Sequence, residues 1–422
     1  MPEYKKKRVR KIARRPKTRE RERIKLQENI PMSRSVRNRG QQEEKTVRVI
    51  KGKKLEQRRN LKIAAAAALV IAVAACILHY TLPIGIAENI GNLTASLGSG
   101  EYPIELYGTE TLNSVQRGNY YYVLTDTNFG AYSGSGKKIF TYAHGYAHPV
   151  IKTSQTRSLI FDQGGTGLRI YNLSKTTNEL TSEQPILTAA ISRCGAYAVA
   201  AKSDSYAAAV TVYNRRDEQM YEWYSSADAV NGILLSPDGK QLAVSTVNAA
   251  DGTLKSRLLI LKYNSADPVF STEYSDTAVY SLECLNSGFT AVTAKGCSYF
   301  SWSDYKRTDF YNDYIPSASK ITPAGLTLVF SRVSDKSDNR IVVISHKGEQ
   351  LASFDFKGQI SDIAFSDNHI YCISDTNVYM LDKKGERIAS AECGFGAVRL
   401  AVTGSRTAAV ISNGDITKIN FS

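Results

Sequence analysis

Two hydrophobic rhythms divide this chain of 422 residues. From Ile63 to Leu78, sixteen consecutive positions are apolar. Beyond that run no segment reads as a long helix; apolar residues come instead in short β-rich runs separated by Gly, Ser, Asn and Asp. These runs are Tyr121–Leu124, Ser158–Phe161, Tyr197–Ala200, Gln241–Val244, Phe289–Val292, Leu326–Phe330, Ile370–Ile373 and Thr407–Val410. They recur roughly every 40 residues, a period that with four strands per unit points to a β-propeller.

Each unit follows one grammar. An apolar strand ends at a turn, the run above follows, and a third strand reads like Leu168–Tyr171, Val210–Tyr213 or Val378–Leu381. A polar turn and an outer strand, as in Gly348–Phe354, close the unit. Ser236-Pro237-Asp238-Gly239-Lys240 is the sharpest turn marker, with Pro fixing φ and Gly taking the left-handed position. Ser192-Arg193-Cys194-Gly195 fills the same slot one unit earlier. Eight units fill residues 101–422, and seven blades with one irregular insertion is the alternative. The last unit runs out of chain after its third strand, Asp415–Phe421, while Tyr102–Tyr107 has no unit of its own. That early segment is therefore expected to supply the missing strand and close the ring.

The apolar run reads differently. A helix over 61–83 would be roughly 30 Å long, enough to cross a bilayer. It starts only after residue 60, behind a long arm rather than the short amino-terminal region of a cleaved signal peptide. Lys45, Arg48, Lys51, Lys53, Lys54, Arg58, Arg59 and Lys62 precede it, and the next cation is Arg117. By the positive-inside rule the amino terminus is cytoplasmic and the propeller extracellular, a single-pass signal anchor in the cell membrane. Residues 84–100, with glycines at 85, 91, 98 and 100, read as a linker.

Charge sharpens this division. Residues 1–62 hold 24 Lys+Arg against 7 Asp+Glu, and the chain totals are 54 and 40. Everything beyond Lys62, with 30 cationic and 33 acidic residues, is therefore slightly acidic. Residues 1–60 lack apolar periodicity and read as a disordered basic arm. Its cluster at Lys51, Lys53, Lys54, Arg58, Arg59 and Lys62 suits anionic lipid headgroups. Tyr4 is its lone aromatic, so base stacking, and with it nucleic-acid binding, is not expected.

The residues also carry a family resemblance. Ser96-Leu97-Gly98-Ser99-Gly100-Glu101-Tyr102-Pro103-Ile104-Glu105-Leu106, His148-Pro149-Val150-Ile151-Lys152, Phe161-Asp162-Gln163-Gly164-Gly165, Trp223–Asp228 and Leu234–Thr246 resemble segments of Gram-positive membrane proteins. Those proteins carry a domain of unknown function, number 5711. The resemblance spans nearly everything from the apolar run onward, and implies an anchored extracellular propeller with no known activity.

Candidate chemistry is sparse. Five cysteines lie beyond the apolar run, with no CxxC pair; Cys284 and Cys297 could face each other across a hairpin, although buried free thiols fit better. His144 and His148 have the spacing of a zinc helix, but Gly145 and the strand context oppose a helix. Gln163-Gly164-Gly165-Thr166-Gly167 lacks the Lys-Ser/Thr of a phosphate loop and reads as a hairpin turn. No nucleophile–base order or paired acids stand out, so no enzyme, metal or cofactor is expected. One compositional oddity remains: seven aromatics between Tyr299 and Tyr314, among them Trp302, Tyr305 and Tyr311, could form a ligand or partner surface. The expected role is an interaction platform for envelope or membrane proteins, with a glycan or small-molecule sensor as the alternative.

Overall fold

The computed structural model describes residues 60–65 and 84–422, apart from 174–175, 250–251, 266, 312–313 and 323–324. It divides into two units, Met1–Tyr80 and Thr81–Ser422. In the first, residues 60–65 are helical. The rest of the expected span, 66–83, and the basic arm lie outside the described residues. Among the described residues no helix is long and apolar enough to cross a membrane.

The second unit is a ring of eight four-stranded antiparallel sheets, so the seven-bladed alternative is excluded. Blades 1 to 7 occupy residues 111–143, 149–181, 186–225, 229–275, 279–311, 315–357 and 360–392. Their strands follow chain order, here A to D, and the A strands of neighbouring blades meet around the axis. Blade 8 takes A, B and C from Arg399–Gly404, Thr407–Ile411 and Asp415–Asn420. Its D strand is Ile104–Glu105, paired antiparallel as Ile104↔Ile416 and Glu105↔Asp415. The Leu106 amide extends the ladder by donating to Gly414 O at 2.9 Å. The early segment thus closes the ring, as the strand count required.

B strands read as unbroken apolar runs because a blade packs on each side of them. In Ser158–Asp162 the first four residues are all buried. D strands, at the rim, alternate instead, as in Gln350–Lys357. The core is a series of layers between blades: Ala198, Val210 and Val212 of blade 3 pack with Val230, Leu242 and Val244 of blade 4. In the closing layer, Ile104 and Ile416 meet Tyr121, Val123 and Tyr132 of blade 1. Antiparallel order places the A–B and C–D turns on one face of the disc. The B–C turns and the blade-to-blade connections lie on the other. At the A–B turn of blade 4, Gly239 has φ +69° and donates its N–H to Ser236 O, and a Cβ there would stand 2.7 Å from the Cys194 sulfur. The Gln163–Gly167 segment is a B–C turn, as expected of a hairpin.

The stretch 84–100, expected as a linker, contains a helix, α1 (Ile84–Ser96). Its polar residues are tied to the propeller, an arrangement that a hydrophobic-in reading does not anticipate.

Candidate functional site: a latched face and a charged channel

The expected aromatic surface does not assemble. Tyr299 and Trp302 are buried; Trp302 lies 4.5 Å from Phe289, ring centre to ring centre. Tyr305, in a C–D turn, donates its hydroxyl to Gln241 Oε1 at 3.1 Å. Tyr314, between blades 5 and 6 on the opposite face, lies under the Arg332 guanidinium at 4.9 Å. Tyr311 is on the D strand of blade 5, its side chain outside the described residues. Strand alternation and the two faces of the disc have separated what the sequence put together. Of the proposed lipid contacts, Lys62 is exposed, and Lys51, Lys53, Lys54, Arg58 and Arg59 lie outside the described residues.

His144 is buried, with Nε2 3.1 Å from Thr125 O and Nδ1 accepting the Tyr146 amide at 3.0 Å. Both ring nitrogens are thus engaged by the backbone. Cys284 and Cys297 are free thiols, as are Cys194, Cys372 and Cys393. Cys284 pairs in register with Phe289, and Cys297 with Val292, so they are not opposite one another. Burial pushes the Cys284 and Cys372 thiols up to about 12, which leaves them inert at neutral pH.

The most constrained polar contacts join α1 to the A–B/C–D face. Glu88 and Asn92 are four residues apart and so share one side of the helix. Arg157, from the A–B turn of blade 2, donates Nε to both Glu88 oxygens at 3.0 and 3.1 Å and Nη2 to Oε1 at 2.6 Å. Arg215, from the C–D turn of blade 3, donates Nη2 to the other oxygen of the same carboxylate. The side chains of Glu88, Arg157 and Arg215 are only 10, 6 and 16% exposed. Burial lowers the Arg215 pKa, with Glu88 pulling the other way. Arg157 and Arg215 are also fixed by carbonyls, Nη1 of each reaching Arg215 O and Cys194 O respectively. Buried Asn92 donates to Thr156 O at 2.7 Å and accepts the Leu173 amide at 2.9 Å. At the helix C-terminus, Lys137 Nζ donates to Ala95 O and Leu97 O, satisfying carbonyls that a helix end leaves open. Blades 1, 2 and 3 therefore each hold α1.

The channel is lined by polar A-strand residues. Lys320 of blade 6 pairs with Asp362 of blade 7 and donates to Leu400 O of blade 8 at 2.7 Å; Asp362 also accepts the Leu400 amide at 2.7 Å. Gln116 exchanges hydrogen bonds with both backbone groups of Val402, and Arg399 donates to Leu112 O at 2.8 Å, tying blade 8 to blade 1. A second group is less engaged. Glu283 of blade 5 feels the charges of Lys152 and Arg117, which belong to blades 2 and 1. Arg117 donates to Thr153, whereas among the described residues neither Glu283 nor Lys152 has a charged partner within ion-pair distance.

Burial raises the Glu283 pKa above its ordinary 4.5, against the opposing pull of Lys152 and Arg117. The folded protein therefore holds this proton more tightly than the unfolded chain. Its contribution to stability is present at low pH and is lost as pH rises from about 4.5 through the raised value. Glu283→Gln should flatten that part of the stability–pH profile and raise Tm at pH 7. Thermal unfolding across an acid-to-neutral series checks this; an unchanged slope refutes it.

Closed ring, strand-exchanged last blade and interblade cores define an eight-bladed β-propeller. Residues 102–421 match a family of unknown function, DUF5711, and the chain belongs to it. No curated protein matches the chain. Among solved structures it is similar to dihydro-heme d1 dehydrogenase NirN in complex with DHE, at 14% identity and TM-score 0.52, over 74% of this chain and 72% of that one. It is also similar to the C-terminal WD40 domain of Sif2, at 11% identity and TM-score 0.50, over 75% and 97%. At such identities the likeness is one of fold alone.

Proposed function

We propose that the chain is a single-pass membrane protein of the Gram-positive cell envelope whose extracellular propeller is a protein–protein interaction platform. The observation that carries this reading is the asymmetry of the disc. One face is occupied by α1, which the chain reaches within a few residues of the apolar run. The other displays apolar side chains: Tyr206 tilted against Tyr224, Tyr280, Val333, and Phe395, which is 96% exposed between two glycines at positive φ. These side chains sit on or next to turns and connections that rigid blades hold in place, where a scaffold presents its binding loops. The basic arm stays in the cytoplasm, its juxtamembrane cations against anionic headgroups.

A second reading, a sensor binding a small polar ligand in the channel, draws support from Lys152, Glu283 and Arg117. Crosslinking in intact cells, with recovery through a tag on the arm, separates the two. One or two abundant envelope proteins, crosslinked to B–C turns and blade-to-blade connections, are expected for a platform. Recovery of the chain alone would overturn the platform and leave the channel reading standing.

A further inference from the structure

The polarity of α1 is inverted. Glu88 and Asn92 face the propeller, and the half-buried Ala95 packs on the same side. Ile90, Leu93 and Leu97 are 50, 58 and 61% exposed. Spacings of three and four place these three on one stripe, and at 100° per residue that stripe lies roughly opposite Glu88 and Asn92. Leu97 continues the turn, its amide reaching Thr94 O at 3.3 Å. A surface helix ordinarily buries its apolar stripe and solvates its charges. Here ion pairing and side-chain-to-backbone hydrogen bonds hold the polar side inward and force the apolar side out. An apolar stripe maintained in that way calls for an apolar occupant.

We infer that α1 is an interfacial helix: its Ile90–Leu93–Leu97 stripe rests in the outer headgroup and upper acyl region of the bilayer that the preceding apolar run crosses. The inference rests on the membrane-anchored reading given above. Chain connectivity selects the bilayer as occupant. Only residues 79–83 separate Leu78 from α1, at most about 20 Å of extended chain, which keeps the helix at the membrane surface. The helix carries no Lys or Arg, and its single acid, Glu88, is engaged by the propeller. Its seating is therefore apolar rather than a salt-sensitive attraction to headgroups. Latched to blades 1, 2 and 3, a seated α1 fixes the tilt of the disc, with the A–B/C–D face toward the lipid and the face bearing Phe395 away from it.

Full-length protein carrying Leu93→Trp, reconstituted in phosphatidylcholine/phosphatidylglycerol vesicles with acyl-chain-brominated phosphatidylcholine, tests this. Position 93 is exposed, so the substitution leaves the fold intact, and the two native tryptophans give the background. Expected is a blue-shifted emission from the introduced indole, quenched at least twofold by brominated lipid. Ile90→Ser with Leu97→Ser in the same chain should abolish the quenching. Emission from the introduced indole at solvent wavelengths overturns the inference. So does a blue shift without bromine quenching that strengthens with protein concentration, which would mean that a second copy covers the stripe. Flotation of the same vesicles reads anchoring separately. Protein that floats with its introduced indole unquenched defeats the interfacial helix alone, whereas protein that fails to float defeats the anchor reading as well.

Discussion

Glu88→Ala is expected to release α1 from the propeller while leaving the eight blades folded. The carboxylate is the shared counter-charge of Arg157 and Arg215, and all three groups are largely withdrawn from water. Removing one partner of a buried ion pair costs about 3–5 kcal/mol, because the remaining charge stays desolvated. Here two cations would remain side by side. The protein has an easier exit: α1 can lift away and let both guanidiniums hydrate, so the loss is capped by the docking free energy of the helix. The variant should therefore show a small change in global Tm and a large local one. Amide exchange over residues 84–100 should accelerate by about two orders of magnitude or more, since each ~1.4 kcal/mol is worth tenfold, with B-strand protection unchanged. Glu88→Gln, which keeps hydrogen-bonding capacity but no charge, should fall between. Protection of 84–100 that survives Glu88→Ala would mean that Asn92 and Lys137 hold the helix without the ion pair.

How much of this was legible in the sequence follows from where each residue ends up relative to water. B strands are buried on both sides, so Ser158–Phe161 or Ile370–Ile373 announces a blade without ambiguity. The strand deficit at Asp415–Asn420 and the orphan segment at Tyr102–Tyr107 together required ring closure, and chain order alone revealed it. The polar groups were harder to place. Glu88 and Asn92 looked like solvated linker residues because the arginines that hold Glu88, Arg157 and Arg215, lie 69 and 127 positions away from it. The glycines around them, with Gly91 inside the helix, weakened the helical signal further. An acid and an amide four residues apart, with Ile90, Leu93 and Leu97 on the other side, was the available clue. The aromatic cluster misled for the opposite reason: adjacency along a strand is alternation in space, so Tyr299 and Trp302 went to the core.

Ile104→Asp is expected to open the ring. Ile104 is the inward-facing residue of a two-residue D strand, packed among Tyr121, Val123, Tyr132, Ala401, Ala409, Ile411 and Ile416. Truncating a buried isoleucine to alanine costs about 2–5 kcal/mol, and Ile104→Ala should lose that much while the ring stays shut. An unpaired carboxylate at the same place has no partner in an apolar layer, and burying it would cost more than the strand's own pairing supplies. The strand should then detach. Detachment exposes the outer edge of Asp415–Asn420, a row of backbone donors and acceptors able to pair with another chain. Blade 8 would still be tied to blade 1 through Gln116–Val402 and Arg399–Leu112, so the opening should be confined to the rim rather than running to the axis. The signature is therefore specific: proteolytic cleavage within 97–110 and concentration-dependent association, with amide protection of the A strands retained. Loss of protection around the channel as well would show that the exchanged strand, and not the inner ring of side-chain ties, is what keeps eight blades together.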